Sequence, residues 1–148
     1  MVHALQTISG MLTAGGYLVD IHPFSDPPPI AWMDAAGETL LGWLEETDNF
    51  VEYFQADLTL LQVIQADLYI LEEQGSFEFY THASSLEALQ NHLETTGWED
   101  AVIPKGVWKR AQELREVVPG EAEVVLQETV HIARLRLADH HVGQGGQG

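Results

Sequence analysis

The chain has 148 residues, a length that fits one domain able to bury its own core. It contains no cysteine, which excludes disulfides and thiolate chemistry, and no apolar run near the ~20 residues needed to span a bilayer. Its net charge is −17 and all six Lys and Arg lie at or after Lys105, so neither nucleic acid nor an anionic membrane is an expected partner.

Residues 3–13 place Ala4, Leu5, Ile8, Met11 and Leu12 on one helical face, and Gly15-Gly16 is a stop signal. Residues 17–22, "YLVDIH", read as an interior strand covered on both faces. "PFSDPPP", Pro23 to Pro29, reads as loop because proline cannot donate to a sheet. Residues 38–46 read as a strand. Asn49 and Glu52 fit a capping box. Phe50, Phe54, Leu58, Leu61, Ile64, Leu68 and Leu71 then form an apolar stripe, which predicts a helix to about Glu73.

Gly75 is expected to break that helix, and "SFEFYTHA" alternates like a strand. Ser84 and Glu87 fit a second capping box, with Leu86, Leu89 and Leu93 along the helix that follows and Gly97 at its end. "WEDAVI" is a short strand candidate. A helix is predicted from Lys105 to Val117, closed by Pro119-Gly120. The last strand, "AEVVLQETVHIARLRL", places Val124, Leu126, Val130 and Ile132 on one face. Its phase then shifts to Leu135 and Leu137, which predicts a bulge or strong twist near Ala133. Residues 1–138 make one expected domain with an insert at about 23–83. Residues 139–148 are an expected flexible tail. No basic region precedes an apolar run at the N-terminus, so no signal peptide is expected, and the expected location is the cytoplasm.

Three segments carry a resemblance. "HALQTISGMLTAGGYLVDIHP" resembles the helix, GG turn and fifth strand of class I S-adenosylmethionine-dependent methyltransferases. "SSLEALQNHLETTGWEDAVI" resembles their next helix and sixth strand, and "EVVLQETVHIARLRL" their antiparallel seventh strand. The fold class this implies is α/β, in part α+β-like: a mixed sheet with helices, similar to the C-terminal half of a Rossmann-like methyltransferase. In that family the cofactor lies on the first half of the sheet, against a glycine-rich loop and a ribose-binding acid. No such turn precedes Tyr17. The only similar cluster, "GQGGQG", has no strand before it or helix after it. The resemblance therefore implies a methyltransferase-family protein without the cofactor-binding half, and no S-adenosylmethionine bound by these residues alone. The alternative is a stand-alone small-ligand or protein-binding module that self-associates. The fifth strand, deprived of its fourth-strand neighbour, would be an edge, and "ETLLGWLEE" or a second chain could cover it. A homodimer or a companion protein is the expected partner.

Four residues are candidates for substrate contact. His22 ends a strand beside the proline-rich loop, with Asp20 and Asp26 as neighbours for acid–base work; the plainer reading is a histidine capping a strand end. Tyr80 and His82 share a strand face with Glu78 and could line the same cleft, or simply face water. No pair among the seven histidines has a metal-ligand spacing, so no metal is expected. Trp32, Trp43, Trp98 and Trp108 read as core before they read as ligand-stacking groups.

Overall fold

A computed structural model describes residues 2–47, 50–98, 100–118 and 120–139. Among these are helices α1 (Val2–Ser9), α2 (Val51–Gln65), α3 (Leu86–Thr95) and α4 (Lys105–Val117). The strands are β1 (Tyr17–Pro23), β2 (Pro29–Asp34), β3 (Gly37–Trp43), β4 (Glu45–Glu46), β5 (Tyr69–Ala83), β6 (Ala101–Val102) and β7 (Glu123–Leu137). The expected combination of helices and sheet is present. The pairs β1–β7, β2–β7, β2–β3 and β4–β6 are all antiparallel, and β5 also pairs with β7. The chain divides into two compact units with separate cores, and β5 and β7 contribute to both.

The first unit takes residues up to Pro23, Glu52–Phe77 and the chain from Val130. Here β1 pairs with β7 from Tyr17↔Arg136 to Pro23↔Val130 without interruption. Strand periodicity puts Leu18, Asp20 and His22 on one face, opposite Leu135, Ala133 and His131. The core joins Leu5 of α1, Leu60 and Val63 of α2, Tyr69, Ala133, Leu135 and Leu137. Tyr17, Val19 and Ile21 stay exposed, so β1 is not covered on both faces as its composition suggests. Among the described residues β7 is its only strand partner, which makes it an edge.

α2 stops at Gln65, well short of Glu73. The cause is local. Asp67 takes a left-handed φ of 54°, Leu68 N–H bonds the Val63 carbonyl and Asp67 N–H bonds that of Ile64. That is a Schellman close with aspartate where glycine is usual. Residues from Tyr69 onward are thereby released to form β5. The buried positions of α2 are Ala56, Thr59, Leu60 and Val63, while Phe54, Leu58 and Leu61 from the expected stripe are exposed. The capping box read at Asn49 lies outside the described residues.

The second unit takes Phe24–Val51 and Glu78–Thr129. A β2–β3 hairpin turns at Asp34, whose carboxylate accepts the Ala36 N–H, with Gly37 at φ 123°. Composition did not mark β2, because three prolines precede Ile30. Pro29 opens the strand and Pro23 closes β1, so only residues 24–28 of the proline-rich stretch lie outside strands. Ile30, Trp32, Leu41, Leu44, Leu89, Val107, Val124 and Leu126 join in one core. The α3 cap is Ser85, one residue beyond the expected Ser84: its Oγ accepts the Ala88 N–H at 3.1 Å. Glu87 still belongs to this cap. Its own backbone N–H and the Ser85 hydroxyl hold its carboxyl below the ordinary value. "WEDAVI" yields only Ala101–Val102, paired with Glu45–Glu46 of the stretch expected as one strand. "ETLLGWLEE" therefore does not cover β1; most of it pairs with β2. Glu99 and Pro119 lie outside the described residues. Trp43 is exposed, unlike Trp32.

β7 needs no bulge near Ala133. Val124 and Leu126 belong to the second unit's core, whereas Ala133, Leu135 and Leu137 belong to the first unit's. The shift in hydrophobic phase records two cores served by one strand.

Candidate functional site

His22 is the buried polar residue of the first unit's sheet, 9% exposed. Its two ring nitrogens both meet carboxylates: Nδ1 lies 2.5 Å from Asp20 Oδ2 and Nε2 lies 2.9 Å from Asp57 Oδ1. β1 supplies Asp20 two residues from His22 on the same face, and α2 supplies Asp57 above them. His131 is the direct cross-strand partner of His22, with ring centroids 5.1 Å apart and planes inclined by 60°. Asp20, His22 and His131 together present a possible ligand set for a metal ion.

An imidazole between two carboxylates has two chemical states of interest. As an imidazolium it donates to both Asp20 and Asp57. As a neutral ring it donates to one of them and leaves the other nitrogen as a base or ligand. Held this way, the ring is oriented by its partners, which is what a proton-transfer group or a metal ligand requires.

The second unit carries a groove of about 1200 Å³. Trp32, His82, Glu87, Trp108, Arg115 and Glu123 are among its walls. His82 is exposed and its Nδ1 lies 3.0 Å from Glu123 Oε2. Tyr80, also exposed, donates its hydroxyl to the Glu78 carboxylate, which pushes the phenol above its ordinary value. Tyr80 is not among the groove's walls.

Of the residues picked from sequence, His22 is buried, and both of its ring nitrogens meet carboxylates. Asp20 is its partner as expected. Asp57, on a helix far along the chain, takes the part expected of Asp26, which is exposed between β1 and β2. Sequence reading missed Asp57 and His131. Only one signal pointed to them: both are polar residues set among apolar neighbours. No protein-family model, curated protein or solved structure matches this chain.

Proposed function

We propose that this chain forms the substrate-side half of a class I methyltransferase-like protein, completed by a cofactor-binding half that these residues do not supply. The observation that carries the reading is β1: it pairs antiparallel with the long terminal strand β7, as the fifth strand does with the seventh in that family, and its other edge has no strand partner among the described residues. The fourth strand would take that edge. One feature differs from the family pattern. β5, rather than the segment around Ala101–Val102, is the further neighbour of β7.

In this reading His22, oriented by Asp20 and Asp57, is the acid–base group on the substrate side. Asp26, Tyr80 and His82 are the further substrate positions. The 148-residue chain alone binds no S-adenosylmethionine, and the assembled protein works in the cytoplasm. Among the described residues no helix is long and apolar enough to cross a membrane. With a net charge of −17, the substrate is neither nucleic acid nor an anionic lipid surface.

A calorimetric titration tests the reading. The 148-residue chain should give no saturable heat with S-adenosylmethionine. The same chain joined to the product of the reading frame upstream of Met1, or of an adjacent one bearing a glycine-rich strand–loop–helix, should bind it. Saturable binding by the 148-residue chain, or an upstream region without such a segment, would overturn it.

A second reading rests on the exposed side chains of the same strand. Tyr17, Val19 and Ile21 are about half exposed, so β1 could pair with β1 of a second copy and make a self-associating module.

A further inference from the structure

Asp20, His22 and His131 each offer one ligand atom, and these atoms all lie within 4.8 Å of one another. The sheet register produces the cluster: His22 opposes His131, and Asp20 stands two residues away on the same face. We propose that these three side chains bind one divalent transition-metal cation, with Asp57 as the acceptor that orients the His22 ring. The assignment does not need the methyltransferase reading, but it uses the same His22 and Asp20: with the cation bound, His22 is a ligand and not the acid–base group.

The donor set selects the ion. Two imidazole nitrogens and one carboxylate oxygen suit Zn²⁺ and its first-row neighbours, whereas Mg²⁺ and Ca²⁺ take oxygen ligands. Three protein ligands also leave a coordination position for water or a substrate oxygen.

The ring of His22 is set up for this role. With Nε2–H donated to Asp57 Oδ1 at 2.9 Å, the Nδ1 lone pair points toward Asp20. A carboxylate on the far nitrogen fixes the tautomer and raises the basicity of the metal-facing one. Nδ1 and Asp20 Oδ2 lie 2.5 Å apart, in hydrogen-bond contact, so a cation would take the place of the proton between them. Around tetrahedral zinc, ligand atoms about 2.0–2.1 Å from the metal stand roughly 3.3 Å from one another. Asp20 must therefore swing out by somewhat under about 1 Å while His131 closes in, movements within reach of small side-chain rotations.

Charge points the same way. Two carboxylates, those of Asp20 and Asp57, converge on one buried imidazole. Excess charge in a partly buried place is costly unless compensated, and a bound dication compensates it directly.

The test is zinc titration of the full chain in chelator-free buffer, followed calorimetrically. One saturable site of micromolar affinity or tighter is expected. His131→Asn and Asp20→Asn should abolish it. Asp57→Asn, which leaves all three ligands in place, should weaken it about 10- to 100-fold. The double variant His140→Ala/His141→Ala should bind as the parent does, which separates the site from the histidines near the C-terminus. X-ray absorption at the zinc edge on the loaded parent chain should read two imidazoles and a carboxylate, and this holds even if a variant fails to fold. No saturable binding by the folded parent, binding retained in His131→Asn, binding lost in the double variant, or an edge spectrum without two imidazoles would each overturn the assignment.

Discussion

The Tyr69 hydroxyl donates to the Leu5 carbonyl oxygen at 2.8 Å, inside the first unit's core. Burial pushes the phenol above its ordinary value, so it remains a donor throughout the neutral range. The bond ties the first residue of β5 to α1, across a long separation in sequence. Tyr69→Phe keeps the ring and removes the bond. It should cost about 1–2 kcal/mol, read as a lower urea midpoint with an unchanged slope. An unchanged midpoint would mean that the hydroxyl contributes nothing net.

Gly42 should not tolerate a side chain. It has φ 157°, and a Cβ built on it would lie 2.6 Å from Val107 Cγ2, a buried methyl on α4. The hairpin register shifts beside this contact, where Ile30 pairs with Gly42 but Ala31 with Leu40. Gly42→Ala should destabilise by about 1–3 kcal/mol through overpacking. Gly42→Ala with Val107→Ala should recover part of that loss relative to Val107→Ala alone. Thermal unfolding of the four chains measures the coupling, and strict additivity would refute the contact as the cause.

Glu128 provides a pH signature. Burial raises its carboxyl above the ordinary value, with the charge of His92 pulling the other way. A raised folded-state value means that the folded chain prefers the protonated acid. The associated stability is present below the ordinary carboxylate range and is lost as pH rises through the raised value. Glu128→Gln mimics the neutral acid. It should match the parent in acid and exceed it in stability at neutral pH, by urea unfolding at both. A variant less stable than the parent at neutral pH would reverse the assigned sign.

Self-association should run through β1. This strand has exposed Tyr17, Val19 and Ile21 and a free edge among the described residues, without a lysine to discourage pairing. Repulsion between two chains of net charge −17 opposes association, so added salt should strengthen it. Sedimentation equilibrium at up to ~100 μM should show a dimer that tightens with salt, and Val19→Lys should return it to monomer. A parent chain that stays monomeric at low and high salt would remove the self-pairing reading.

Local signals were enough for α4 over Lys105–Val117, for the extent of β7, and for the Gly97 end of α3, where the residue takes φ 87°. In those segments the glycines and the apolar spacing agree with the packing. The strand ending at His22 and its partner Asp20 were legible for the same reason: they are two residues apart on one strand face. The end of α2 was not legible, because Asp67 closes the helix in a conformation that composition assigns to glycine. Nor was the placement of apolar side chains in β1, since a short apolar run reads alike whether one face is covered or both. Asp57 and His131 became site residues only through the antiparallel register of β1 with β7 and the placing of α2 against it. Sequence spacing measures distance along the chain, and a polar cluster is built by distance across a sheet. Tertiary pairing alone brings His131 opposite His22 and gives the His22 ring its second carboxylate.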